Sequence, residues 1–121
     1  MRNPTPEQTD RLDRSVRQIT DLLGLDELVV AQLLGFDDDG IADYLAGDLG
    51  IDGGNAGMIE RALALFEVYT LLGSIVGEDE QARRWLYGEN LALAARPVEL
   101  LSTPEGLMRV LGYLQATVHG S

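Results

Sequence analysis

The sequence has no cysteine, no lysine and a single histidine, and its aromatic residues are one Trp, four Tyr and two Phe. Without cysteine there is no disulfide framework and no thiolate metal site. No apolar run reaches the ~18–20 residues that cross a bilayer, and no export signal opens the chain, so no membrane partner is expected and a cytoplasmic location is. The basic side chains are nine arginines against 20 acids, for a net charge of −11. Residues 36–60 carry seven acids and no base. Such a surface repels nucleic acid and suits a basic protein partner.

The shortage of histidine also limits catalysis. A Ser-His-acid arrangement would have to use His119, near the C-terminal end, where no packing is expected to hold its tautomer. Zinc hydrolysis needs two or three His ligands, and paired carboxylates need a walled cleft that a small helical bundle seldom offers. No nucleophile has an identifiable base. The expectation is therefore no enzyme, no catalytic residue, no cofactor and no metal.

What is present is 45% apolar residues, enough for one core, spaced at three and four. Thr5-Pro6-Glu7-Gln8 is a capping box, and Leu12, Val16, Ile19 and Leu23 form a stripe that Gly24 ends. Arg11, Arg14 and Arg17 interleave with Asp10, Asp13 and Asp21, which reads as a solvated face. Asp26 caps a short helix holding Val29, Val30, Leu33 and Leu34, closed by Gly35. Asp37 or Asp38 caps another with Ile41, Tyr44 and Leu45. This outlines a helix-turn-helix. Its second helix, however, offers Asp37, Asp38, Asp39 and Asp43, with no Arg, Lys, Asn or Gln to meet a phosphate or a base edge, so it is expected to pack as part of the bundle.

Residues 47–57, GDLGIDGGNAG, lack the preceding strand and Lys of a phosphate loop. Counted from Asp37, Ile41 falls on an EF-hand ligand position, so a mobile connection is expected instead. From about Asn55 to Val76 a long helix carries Ile59, Ala62, Leu63, Phe66, Tyr69, Leu72 and Val76 as its main stripe, with Leu65, Val68 and Leu71 beyond it. That arc is broader than one neighbour covers, which predicts a homodimer seam along this helix. Glu78, Asp79 and Glu80 suit the start of the next helix. The predicted fold class is all-α: a compact helical bundle with a degenerate helix-turn-helix-like N-terminal half, residues 1–57, and a C-terminal helical region, residues 58–121.

The most informative stretch runs from Arg83 to Gly120. A helix with Trp85 and Leu86 breaks at Gly88, an exposed turn holds Asn90 and Leu93, and Pro97 opens a short helical segment through Leu101. Thr103 caps and Pro104 starts a last helix to about His119, with Leu107, Val110, Leu111, Leu114 and Val118 on one face. The order Trp85-Leu86, Asn90, Leu93, Arg96-Pro97, Glu99-Leu100-Leu101, Thr103, Gly106, Val110, Leu114 and His119-Gly120 resembles the C-terminal toxin-binding domain of the Xre/MbcA/ParS-type antitoxins. The helix-turn-helix outline is similar to that family's N-terminal domain, whose better-known members are Cro-like DNA binders. Ala94 and Ala95 depart from the Gly pair that the family has before its Arg-Pro step, in a loop one residue shorter.

The resemblance implies an antitoxin that neutralises a cognate RES-domain toxin, an NAD-consuming or ADP-ribosylating enzyme, by occluding its NAD-binding cleft with the C-terminal region. The alternative it implies is a DNA-binding autorepressor of its own operon. The residues expected to contact the partner are Trp85, Asn90, Leu93, Arg96, Pro97, Arg109, Tyr113, His119 and Gly120, with Arg109 and Tyr113 chosen because they flank the apolar stripe of the last helix.

Overall fold

Local start and stop signals set most of the helix boundaries. The computed structural model describes residues 4–120; Met1 and Ser121, the outer limits of the two expected regions, lie outside the described residues. Seven helices occur among the described residues: α1 (Pro6–Leu22), α2 (Glu27–Leu34), α3 (Asp38–Ala46), α4 (Ala56–Val76), α5 (Asp79–Tyr87), α6 (Pro97–Leu100) and α7 (Pro104–Val118). The only extended pairing among these residues is an isolated antiparallel bridge between Asn90 and Ala95. The fold is all-α.

Side-chain oxygens take up the free N–H groups at five helix starts. Thr5 accepts from Gln8 N–H at 3.2 Å while Thr5 N–H donates to Gln8 Oε1 at 2.9 Å. Asp26, Asp37, Asn55 and Thr103 accept from the amides of Leu28, Gly40, Met58 and Gly106. Each such cap is worth about 1 kcal/mol.

Helix α4 is the centre of the packing, touching α7 most extensively and then α1, α2 and α5. Its buried residues are Met58, Ala62, Ala64, Leu65, Val68 and Leu72. This corrects the expected stripe: Leu63 and Phe66 are 53% and 43% exposed, whereas Val68, placed outside the stripe, is fully buried. The physical reason is that α4 is apolar on almost every side, so its period cannot choose the core face. The neighbours choose it. Val68 is therefore removed from the expected dimer seam, and Leu71 is partly buried against the core. Leu45 and Val118, each placed on an apolar stripe by spacing, are 40% and 42% exposed.

The loop expected to be mobile is fastened to α1. Arg17 donates to Tyr44 O and Leu49 O, each at 3.0 Å, and its Nε meets Asp13 Oδ2 at 2.9 Å. The other Asp13 oxygen accepts Ile51 N–H at 3.2 Å, and Ile51 is buried. The guanidinium also lies 3.9 Å above the Tyr44 ring, so Arg17 is not part of a solvated face. Tyr44 stacks on Phe36 and its burial pushes its phenol up to about 12.

Other arginines close helix ends in the same way. Arg61 donates to Leu34 O at 3.2 Å and Arg83 to Leu22 O at 2.6 Å, supplying cations to the carbonyl ends of α2 and α1. Gly35 is favoured at the first of these because its φ is 98°, a left-handed conformation that a Cβ strains.

The closest approach of all joins α6 to α7, where a Cβ built on Gly106 would lie 1.9 Å from Leu100 O. The backbone cannot yield there without moving α6. Gly106→Ala is expected to lower unfolding free energy by about 3 kcal/mol or more. Gly112→Ala, in the same helix with open space around it, should raise it by about 0.5–1 kcal/mol. Urea denaturation of the two variants checks this; equal effects would refute the close approach.

Candidate partner-binding site

Helix α5 is anchored by Ala82 and Leu86, both buried, and by Tyr69 of α4, whose hydroxyl donates to Asp79 Oδ1 at 2.8 Å. That hydrogen bond, with a smaller contribution from burial, raises the Tyr69 pKa above its usual value. The anchoring leaves Trp85 half-buried on the flank of α5, its ring stacked on Tyr113 of α7 with centroids 6.1 Å apart and planes 23° from parallel. One turn before Tyr113, Arg109 reaches back from α7 and donates to Leu93 O at 3.1 Å.

The Leu93 carbonyl belongs to a loop closed on itself. Asn90 and Ala95 exchange their backbone hydrogen bonds at 3.2 and 3.4 Å, Asn90 Oδ1 accepts Leu93 N–H at 3.1 Å, and Ala94 N–H donates to Leu91 O at 3.3 Å. This geometry places Ala94 at φ 57°, the left-handed region where a Cβ is strained. The missing Gly pair thus has a physical consequence: the loop keeps the turn and carries the strain.

The structure brings together Trp85, Asn90, Leu93, Arg109 and Tyr113, but in unequal roles. Leu93 is 5% exposed and Pro97 is fully buried, which corrects the expectation that Leu93 sits in an exposed turn. Both side chains hold the loop from beneath instead of offering it to a partner. The loop residue that faces outward is Leu91, 96% exposed. The sequence reading missed it. The stretch Leu91-Ala92-Leu93 contains two leucines that point to opposite sides, and nothing local says which of them is inside. Arg96 is exposed, with Glu99 as a distant ion partner at 4.0 Å, a contact worth little in water. His119 and Gly120 are exposed at the end of α7, on the order of 15 Å along the helix axis from Arg109. They do not join the loop.

Two concavities flank this region. One, of about 540 Å³, lies against the loop between Glu89, Leu91, Ala94, Arg96 and Glu99. The other, of about 380 Å³, is an apolar groove between α2 and α6 lined by Leu25, Val29, Leu33, Val98 and Leu101. Among the described residues, no three His, Cys, Asp or Glu side chains converge to hold a metal ion, and no helix is long and apolar enough to cross a membrane. What the arrangement provides is a hydrogen-bonded surface of mixed charge suited to contact with another macromolecule.

Residues 71–120 match the family model of the antitoxin Xre/MbcA/ParS C-terminal toxin-binding domain. The C-terminal part of this chain is similar to that antitoxin domain. The matched stretch takes in the end of α4, all of α5, the closed loop, α6 and α7, so every residue expected to contact a partner falls inside it. That domain is described as toxin-binding. No curated protein matches the chain.

Relief of the strain at Ala94 gives a direct check on the loop. Ala94→Gly is expected to raise unfolding free energy by about 0.5–1 kcal/mol, the left-handed strain removed less the extra chain entropy of glycine. Chemical denaturation that shows a loss instead would mean that Ala94 does not hold this conformation.

Proposed function

We propose that the protein is an antitoxin that neutralises a RES-domain toxin, an enzyme acting on NAD, by covering its NAD-binding cleft with the closed loop, α6 and the end of α7. The observation that carries this is the toxin-binding match lying on a surface already held in one shape by Arg109 and by the Trp85–Tyr113 stack. A surface ordered before contact loses little entropy on binding. The acidic chain complements a cleft built to bind phosphates. Trp85, Asn90, Arg96, Arg109, Tyr113, His119 and Gly120 are placed to touch the toxin, with Leu93 and Pro97 supporting them from within. The setting is the cytoplasm, where NAD is available.

The DNA-binding alternative has less support. Helix α3, in the position of a recognition helix, exposes Asp38, Asp39 and Asp43 and carries no base, so a phosphate backbone would repel it.

The homodimer belongs on a different part of α4 from the one its period suggested. Exposed Leu63 and Phe66 form an apolar groove of about 430 Å³ with Leu12 and Ile59, edged by Arg11 of α1. A two-fold copy would bury this groove against its equivalent on the other chain. Light scattering at micromolar concentration is expected to show a dimer that Phe66→Asp converts to a monomer. A wild-type monomer throughout that range rules out the seam.

Inhibition is tested with a purified RES-domain toxin from the same operon, following NAD consumption. The full chain should silence the enzyme at equal stoichiometry. Truncation after Gln115 should leave the bundle folded yet restore much of the activity. Arg109→Glu should weaken inhibition about tenfold or more, Arg14→Glu hardly at all. A truncated chain that still silences the toxin would show that the end of α7 does not cover the cleft.

A further inference from the structure

Leu91 is the most exposed large apolar side chain of the described residues, at 96%, and the next is Leu63 at 53%. The other exposed leucines lie against their own helices or neighbouring segments, as isolated surface leucines ordinarily do. Leu91 stands clear of everything. Folding does not require it, because the loop is closed by main-chain bonds, by the Asn90 side chain, by Arg109 on the Leu93 carbonyl and by Leu93 itself in the core. An apolar side chain held out on a stiff loop is buried on association with little ordering of its backbone, the condition that favours an interface anchor. Its surroundings hold two acids and one base: Glu89 and Glu99 are exposed on the edge of the adjoining hollow, and Arg96 lies 4.0 Å from Glu99 in an exposed ion pair, which leaves a net negative charge there.

We infer that Leu91 is the apolar anchor of the toxin complex, inserting into an apolar socket on the toxin whose rim is basic and pairs with Glu89 and Glu99. The inference rests on the toxin-binding reading and adds the residue that carries affinity. It also separates affinity from occlusion: Leu91 seats the antitoxin, while the end of α7, about 15 Å from Arg109 by helix rise, covers the cleft.

The test is calorimetric titration of the full chain into a purified RES-domain toxin from the same operon, with wild type, Leu91→Ala, Leu91→Asp and Leu28→Ala. Leu28 is an exposed leucine of α2 far from the loop in sequence. Loss of a buried leucine side chain predicts affinity about tenfold weaker or more for Leu91→Ala, with Leu91→Asp weaker still. Thermal unfolding should be unchanged in both, and Leu28→Ala should bind as wild type. Leu91→Ala binding within about twofold of wild type would overturn the anchor, while leaving cleft occlusion to stand or fall by the truncation after Gln115. Weakened binding by Leu91→Ala together with full inhibition by the truncated chain would uphold the anchor and sink the occlusion. A wild-type chain that does not bind the toxin removes both.

Discussion

Burial against α4 is the constraint on which the other elements depend. Helices α2, α3, α5 and α6 have eight, nine, nine and four residues, lengths at which an isolated helix in water is not stable. Helices α2 and α5 persist because Met58, Ala62, Leu65, Val68 and Leu72 of the 21-residue α4 give them an apolar surface to cover, while α3 packs on α2 and α6 on α5 and α7. The partner-binding region inherits its geometry from this. Both α5 and α7 rest on α4, with Tyr69 bonded to Asp79 on one side and Glu67 accepting from Gln115 at 3.0 Å on the other. The spacing of Trp85 and Tyr113 is thereby set by a helix that carries neither.

The arginines explain how an acidic chain holds its short helices in register. Arg17, Arg61, Arg83 and Arg109 each donate to a main-chain carbonyl of a distant segment. A planar guanidinium can serve several oxygens in fixed directions, which a lysine ammonium does less well; Arg17 alone meets two carbonyls and a carboxylate. Arg17, Arg61 and Arg83 are partly buried by this use, while Arg109 stays exposed on the surface of α7. The net charge of −11 favours a basic protein partner over nucleic acid, in keeping with a toxin-binding domain.

The closed loop and the α6–α7 junction achieve rigidity by different means. At Gly106 the absence of a side chain lets two backbones come together. At Ala94 a side chain is present where none is welcome, and the strain is held by the hydrogen bonds on either side and by Arg109. Strain kept in this way is found where a particular surface shape matters more than local stability.

How much of this was legible in the sequence follows from the range of the forces involved. The caps at Thr5, Asp26 and Thr103, the stops at Gly24, Gly35 and Gly77, and the all-α class were readable because each rests on contacts within a few residues. The resemblance to the antitoxin domain was readable because its signature, from Trp85 to Gly120, is a pattern of residue types along the chain. Which side of α4 is buried was not readable, since α4 is apolar on most sides and only α7 and α1 decide between Val68 and Phe66. Nor was the choice between Leu91 and Leu93, two residues apart in one loop: the core under the loop and the reach of Arg109 turn one inward and leave the other in solvent. Both decisions depend on residues far off in the chain, and they exist only once the helices have packed.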